Sequence, residues 1–309
     1  MSQPRSTPDY LDLAESGELA VRAEVLRESV RACSLCPRSC GVDRVAGRKG
    51  YCRGGLMASV SSSNPHHGEE PPISGWRGSG AVFFANCTLR CLFCQNYPIS
   101  QLGHGRETSH ERLAEVFLDL QRQECHNLNV VTPTHYLHAI VSALAIAVES
   151  GFRLPIVYNT SGYERVETLR QLDGVVDVYM PDIKYGDADK ARCYSDAPDY
   201  PERNIEALRE MQRQVGDLVL DDAGIAVRGL LVRHLVLPGA ECDSIPLLGA
   251  LRDRVSPSAY VSLMSQYFPA FKAPETPPLN RRVDPQAYRR IVDWMTESGL
   301  RGWIQPIPG

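Results

Sequence analysis

The residues best suited to chemistry in this chain are its cysteines. Seven of the ten fall in two tight groups. In "NCTLRCLFCQN", residues 86–96, Cys87, Cys91 and Cys94 stand at spacings of four and three, and the nearest cysteines outside the run, Cys52 and Cys125, are more than thirty residues away. A closed structural metal site takes four protein ligands, and a thioredoxin-like redox pair needs only two cysteines. A cubane [4Fe–4S] cluster has four irons, each wanting one outer ligand. Three thiolates in a short loop hold three irons and leave the fourth open to a substrate or cofactor.

The other group is complete. Cys33, Cys36, Cys40 and Cys52 form C-x2-C-x3-C-x11-C, four ligands for a second, closed metal site. Structural zinc and an auxiliary [4Fe–4S] cluster both suit this set, and spacing does not choose between them. Arg38, Arg44, Arg48, Lys49 and Arg53 surround it with only Asp43 opposing, and cations stabilise the excess negative charge of four thiolates. A basic cysteine knuckle also suits RNA, but the formal net charge of −4 argues against a nucleic-acid partner. Cys125, Cys193 and Cys242 are isolated and read as small buried hydrophobes.

The elements that must position the first group show a rhythm. From Gly80 onward, the apolar runs "AVFFAN", "NLNVV", "LPIVYN", "VVDVYMPD", "GLLVRHLVLPG" and "AYVSLMS" alternate with helical stretches near 109–123, 135–150, 163–172, 200–215, 243–253 and 284–299. Strands alternating with helices indicate a parallel sheet. Six such units predict a partial (β/α)6 barrel with its active groups at the C-terminal strand ends. Cys87 follows strand one, Thr132 and Thr134 strand two, and Asn159, Thr160 and Ser161 strand three. Asp182 and Lys184 follow strand four, Arg233 and His234 lie late in strand five, and Gln266 and Tyr267 follow strand six.

C-x3-C-x2-C after the first barrel strand, with Phe93 just before the last cysteine, resembles the radical S-adenosylmethionine superfamily. "GSGAVFFANCTLRCLFCQNYPIS" looks like the branch related to pyruvate formate-lyase activating enzymes. The resemblance implies a radical SAM type fold, with a [4Fe–4S] cluster on Cys87, Cys91 and Cys94 and S-adenosylmethionine chelating the fourth iron. It implies reductive cleavage to a 5′-deoxyadenosyl radical that abstracts hydrogen from a substrate. Phe93 then lies near the adenine. Where the family usually carries Gly-Gly-Glu for the cofactor's amino group, this chain has "VVTPTHY", which leaves Thr132 or Thr134 to replace it. "YNTSG" (Asn159, Thr160, Ser161) matches a polar strand end near the cofactor, and "PDIKY" resembles an Asp-Leu-Lys element. By the same carry-over, Asp182 binds a cation or the cofactor, Lys184 and Arg233 or His234 meet the carboxylate, and Gln266 and Tyr267 lie near the adenine.

The resemblance also implies a low-potential electron donor such as flavodoxin or ferredoxin. The substrate is a glycyl-radical enzyme partner, or alternatively a small molecule or peptide. A reading from another class is a non-catalytic zinc-binding adaptor, with zinc in both cysteine groups.

The expected organisation has three parts. Residues 1–60 are an N-terminal helix, running from Pro8 to about Ala32, plus the four-cysteine module. Residues 61–79 are a turn-rich connector loop, and 80–309 are the barrel. Within the connector, "NPHHGEEPP" (His66, His67, Glu69, Glu70) offers residue types that bind metal or transfer protons, at a position that could cover the barrel mouth. At 43% hydrophobic and 23% charged residues, the composition is that of an ordinary globular chain. The N-terminus lacks the apolar run of a signal peptide, and "AIVSALAIAV" is about half of a bilayer span. The expectation is a cytoplasmic protein without a membrane partner, in a compartment where clustered cysteines bind metal rather than form disulfides.

Overall fold

The alternation of strand and helix patterns builds one open sheet flanked by helices. The computed structural model describes residues 7–239 and 241–307; the Cys242 side chain also lies outside the description. The strands are β1 (Ala58–His66), β2 (Ser79–Phe84), β3 (Arg106–Thr108), β4 (Leu128–Val131), β5 (Ile156–Thr160), β6 (Val178–Pro181), β7 (Val219–Leu220), β8 (Ala226–Leu235), β9 (Tyr260–Met264) and β10 (Arg301–Ile304). Their spatial order is β10-β9-β8-β6-β5-β4-β2-β1-β3, with β7 paired to β8. Along the series β2, β4, β5, β6, β8, β9 and β10 every pairing is parallel, whereas β1 runs antiparallel to β2 and β3, and β7 antiparallel to β8.

The helices are α1 (Tyr10–Glu15), α2 (Glu18–Glu28), α3 (Pro71–Ser74), α4 (Tyr97–Ser100), α5 (His110–Arg122), α6 (Leu137–Glu149), α7 (Val166–Leu169), α8 (Ala188–Ser195), α9 (Tyr200–Val215), α10 (Glu241–Arg254) and α11 (Pro285–Glu297). Local chemistry fixes their starts. Ser109, Asp187 and Asp284 each accept a backbone N–H of the first turn with their side chains, from Arg112 (3.2 Å), Lys190 (2.8 Å) and Gln286 (2.7 Å). The run "AIVSALAIAV" falls in α6, which is buried on most sides between α2 and α5. Each large aliphatic side chain there, such as Ile140 or Leu144, contributes about 1.5–3 kcal/mol by burial. No helix among the described residues is long and apolar enough to cross a membrane.

Alternation along the strands sorts side chains into two layers. Val130, Tyr158, Tyr179, Val232 and Val261 face the helices. Val157, Val178, Met180 and Leu231 face inward and pack around Ile73 of α3, which plugs the barrel interior.

Several expectations need correction. Residues 61–79 are not simply a connector loop: β1 extends through His66, and α3 follows. The stretch is rich in Ser, yet β1 is half exposed and antiparallel beside β2, so a polar outer face suits it. The expected N-terminal helix is two helices, because Gly17 (φ +78°) breaks it. The 163–172 helix shrinks to α7 and a 3-10 turn over Arg170–Leu172. The pattern also hid α8 and a further parallel strand, β10.

Candidate active site

The three-cysteine run leaves β2 through Asn86, whose φ of +72° turns the chain sharply. The loop is then tied to its neighbours by backbone bonds. Arg90 N–H donates to Ser195 O (3.0 Å), Leu92 N–H to Tyr194 O (2.8 Å), and Lys272 N–H to Leu92 O (2.9 Å). Cys87, Cys91 and Cys94 lie in an apolar cluster with Leu89, Phe93, Tyr185, Tyr200 and Tyr267. Phe93 packs against Tyr267 and Tyr185, with ring centroids 6.1 and 6.5 Å apart.

Burial pushes the Cys87 thiol up to about 12 and Cys91 to about 11, and raises Cys94 as well. Among the described residues no three His, Cys, Asp or Glu side chains form a ready-made metal cage. The cysteines are neutral thiols here, and a metal must deprotonate its ligands as it binds. The donor set fits an iron–sulfur cluster: three soft sulfurs line one cavity within a dry, aromatic surround.

That cavity has a volume of about 350 Å3 and sits inside the sheet's curve. Phe83 on β2 and Met264 on β9, near opposite ends of the parallel series, both line it, so the sheet wraps around it. Cys87, Cys91, Phe93, Cys94, Thr132, Asn159, Thr160, Ser161, Asp182, Lys184, Arg233 and Gln266 all face this one space.

A buried polar network forms its floor. Lys184 Nζ donates to Asp182 Oδ2 (2.6 Å), and Arg233 Nε donates to Asp182 Oδ1 (3.0 Å). Arg233 also donates to Asn159 Oδ1 (2.7 Å) and pairs with Glu69 Oε2 (3.4 Å). Burial works to raise the Asp182 carboxyl, but Arg233 and Lys184 offset it and hold the group below its ordinary value. Burial pulls Lys184 down, and Asp182 foremost reverses that, so the ammonium is raised. Both groups are charged at neutral pH.

Glu69 enters this network from an unexpected side. Pairing of His66 with Ser79 places the loop after β1 at the beginning of β2, so the segment enters the barrel from the end opposite the mouth. Glu69 Oε1 accepts from Asn129 and Asn159, each at 3.2 Å. Glu70 beside it is buried, and its Oε2 has no hydrogen-bond partner.

Three expected residues do not reach the cavity. Alternation on β8 turns Arg233 inward and His234 outward, where its ring bonds Ile183 O (2.7 Å) and Ser244 Oγ (2.8 Å) beneath α10. Thr134 starts a 3-10 turn, and its hydroxyl donates to Glu164 Oε1 (2.6 Å) instead. Tyr267 packs behind Phe93 and donates its hydroxyl to Leu279 O (2.6 Å). Of the two threonines after β4, only Thr132 faces the cavity, and it does so with φ of +59°. A β-branched residue is strained there, at a point where glycine would be relaxed.

Glu164 was not singled out by any motif. Its carboxyl is buried and accepts from Thr160 as well as Thr134, while Oε2 has no partner. Burial pushes it up to about 7. It also borders a larger surface cleft of about 830 Å3, walled by Arg165, Arg170, Arg203, Arg209 and Arg213 interleaved with glutamates. That cleft contains no thiol and is not where the strand ends converge.

In the N-terminal module, Cys33, Cys36 and Cys52 are buried and Cys40 is exposed. Of the surrounding cations, Arg44 is the one bonded to a thiol: it is buried, and donates to Cys52 Sγ (3.4 Å) and His135 O (2.5 Å). The module is fastened to the three-cysteine loop. Arg38 Nε donates to Thr88 O (3.1 Å), and the guanidiniums of Arg38 (3.8 Å) and Arg90 (4.4 Å) both lie over the Tyr51 ring. Cys125 is buried as expected, but Cys193 is exposed, because it sits on the outer side of the unforeseen α8.

Residues 81–221 match the family model of the Radical SAM superfamily. An uncharacterized protein of Methanocaldococcus jannaschii is 28% identical over 294 residues, covering 92% of this chain and 80% of the relative. A second uncharacterized protein of that organism is 30% identical over 185 residues, covering 54% of this chain and 53% of the relative. Among solved structures, a radical SAM methyltransferase from Sphaerobacter thermophilus aligns with a TM-score of 0.49 and 14% identity, over 95% of this chain and 91% of that one. Streptococcus suis SuiB bound to precursor peptide SuiA aligns with a TM-score of 0.47 and 13% identity, over 72% of this chain. The chain spans about half of SuiB, 47% of its length.

Proposed function

Residues 81–221 form a radical SAM domain, and from that premise we propose that the chain is an enzyme in which Cys87, Cys91 and Cys94 hold a [4Fe–4S] cluster with S-adenosylmethionine at the open iron. The observation that carries this reading is the convergence of three thiols and a two-signed polar floor on one cavity of about 350 Å3. When bound, the pair supplies reductive cleavage of the sulfonium and a radical that abstracts hydrogen from a substrate.

The chain's own residues do the rest. Lys184 and Arg233 offer cations to the cofactor's carboxylate, and Asp182 offers an anion to its ammonium. Thr132, Asn159 and Ser161 line the same wall, while Phe93 and Gln266 are the residues that would border the adenine. The aromatic cluster behind the cysteines excludes water. Radical SAM enzymes need a reductant, and here a flavodoxin or ferredoxin is the proposed donor.

The substrate we favour is a partner protein, a glycyl-radical enzyme in the reading the motif suggests. Supporting it, Leu102 and Phe268 are exposed two residues from cavity-lining Ser100 and Gln266, an apolar rim suited to a macromolecule. The N-terminal cysteines are proposed to hold a separate metal, zinc or an auxiliary cluster.

The test is the triple variant with Cys87, Cys91 and Cys94 changed to Ala, reconstituted anaerobically with iron and sulfide. It should lose reductive cleavage of S-adenosylmethionine to methionine and 5′-deoxyadenosine. Wild-type cleavage in that variant would refute the assignment.

A further inference from the structure

Each sulfur of the three-cysteine loop has a hydrogen-bond partner from a different part of the fold, and Cys94 is met by the Asn96 backbone as well. Leu89 N–H donates to Cys87 Sγ (3.4 Å) within the loop itself. Ser195 Oγ donates to Cys91 Sγ (2.9 Å) from the end of α8. Ser100 Oγ and Cys94 Sγ lie 3.0 Å apart at the end of α4.

The contact at Cys91 is part of something longer. The Ser195 hydroxyl also meets the Tyr185 hydroxyl at 2.7 Å, and both residues are buried. Tyr185 is held by its ring, which packs edge-on against Tyr200 at 5.5 Å and Phe93 at 6.5 Å. Backbone bonding fixes Ser195 as well, since its carbonyl accepts from Arg90 N–H (3.0 Å) inside the cysteine loop. In so apolar a surround these hydroxyls have few alternative partners.

We propose that Tyr185, Ser195 and Cys91 form a buried hydrogen-bond chain that sets the reduction potential of the cluster, with Ser100 acting in parallel on Cys94. The proposal rests on the reading of the three cysteines as cluster ligands. A ligated thiolate has no proton to give, so Ser195 must donate to Cys91 and Ser100 to Cys94. Ser195 has then spent its only proton, and its oxygen is left to accept from Tyr185. The chain thus points one way, from the phenol to the sulfur. Burial holds the Tyr185 phenol well above its ordinary range, so it stays protonated as the donor.

The direction of the effect follows. Reduction adds negative charge to the cluster and its sulfurs, and a donor aimed at a sulfur stabilises the reduced state more than the oxidised one. The low-dielectric surround enlarges that difference and opposes reduction in general, so donors at this spot have an outsized influence. Tyr185 acts through Ser195 by polarising its hydroxyl. Both are positioning residues that touch the ligand sulfur or its donor and leave the cofactor wall untouched.

The experiment is a redox titration of the full chain, reconstituted anaerobically, followed by the electron paramagnetic resonance signal of the reduced cluster. Iron and sulfide are counted in each sample. Ser195→Ala should titrate at a more negative midpoint than wild type, and Tyr185→Phe should shift the same way by less. The double variant should match Ser195→Ala, because Tyr185 has no route to the sulfur once the hydroxyl is gone. Ser100→Ala should add an independent negative shift.

Equal midpoints for wild type and Ser195→Ala at equal iron content would overturn the chain. A double variant shifted by the sum of the two singles would remove Tyr185 from it. If Ser195→Ala does not load a cluster, Tyr185→Phe decides, since it deletes one oxygen and keeps the serine: no shift overturns the proposal. A wild-type chain that assembles no [4Fe–4S] cluster overturns the cysteine assignment instead.

Discussion

Glu69 and Arg233 form an ion pair at 3.4 Å although 164 residues separate them. One is carried by the segment that precedes the barrel and the other by its fifth strand in the parallel series. Both side chains are largely buried, and Arg233 shares its charge with Asp182. Removing one member of such a set leaves the remaining charge under-compensated in a poor solvent for it. Glu69→Gln keeps the volume and an acceptor for Asn129 and Asn159 but deletes the charge facing Arg233. It should destabilise the chain by about 1.5–3 kcal/mol, the range for a hydrogen bond to a charged group. A urea midpoint equal to wild type would remove Glu69 from the structural core of the site.

Asp182 and Lys184 are each other's partners, so their pairing alone explains why both are charged. A cofactor role asks more of them. If S-adenosylmethionine engages these groups, Asp182→Asn and Lys184→Met should each weaken its binding about ten- to a hundredfold, equivalent to about 1.5–3 kcal/mol. Equilibrium binding, with cluster content matched across variants, measures it. Wild-type affinity in both would make the pair purely structural.

Much of this architecture was legible because periodicity reports burial. The six strand runs are the parallel strands β2, β4, β5, β6, β8 and β9, and the polar groups at their ends largely meet in one cavity. What stayed hidden has physical reasons. At "VRHL" the sequence offered both Arg233 and His234, and only the strand's phase, set by tertiary packing, assigns one to the cavity and the other to α10. β1 was obscured because its half beyond Val60, past the reach of β3, is an exposed edge that tolerates Ser, Asn and Pro, residues that ordinarily mark turns. Glu69 stands out in "NPHHGEEPP", but its entry from the end opposite the mouth was not legible, and Glu164 and Ser195 belong to no spacing pattern; long-range packing alone places them.

Glu164 makes stability depend on pH. Its carboxyl titrates near 4.5 when unfolded and is raised to about 7 by burial in the native state. Between those values the native state binds the extra proton, so the stabilisation is full below about pH 4.5 and is lost as pH rises through 7. The difference corresponds to about 3 kcal/mol. Glu164→Gln is permanently neutral, and its Oε1 can still accept from Thr134 and Thr160. The variant should therefore match wild type near pH 4.5 and exceed it in stability above pH 7. Asp177, also raised to about 7 by burial, titrates in both proteins and cancels in the comparison. Parallel curves of unfolding free energy against pH would contradict the assignment.

The N-terminal module should lose one metal centre when its thiols are removed. Changing Cys33, Cys36, Cys40 and Cys52 to Ala should lower metal content by one zinc, or by about four irons, relative to wild type. A gentler variant probes the same site through geometry. A Cβ on Gly50 would lie 2.3 Å from Cys40 Sγ, closer than side chains approach, and 3.2 Å from Val42 Cγ2, a tight contact. Gly50→Ala must therefore push the Cys40 sulfur aside, and Cys40 is the exposed and least enclosed member of the four. With three ligands left in place, the metal should remain bindable but exchange faster with a chelator. The readout is the rate of metal loss to a competing chelator, followed beside the iron content of the Cys87, Cys91 and Cys94 site. Because Arg38 and Tyr51 fasten the module to that loop, the quadruple variant should also load the three-cysteine site less completely. Unchanged metal content in the quadruple variant and unchanged release from Gly50→Ala would together mean that these four cysteines hold no metal.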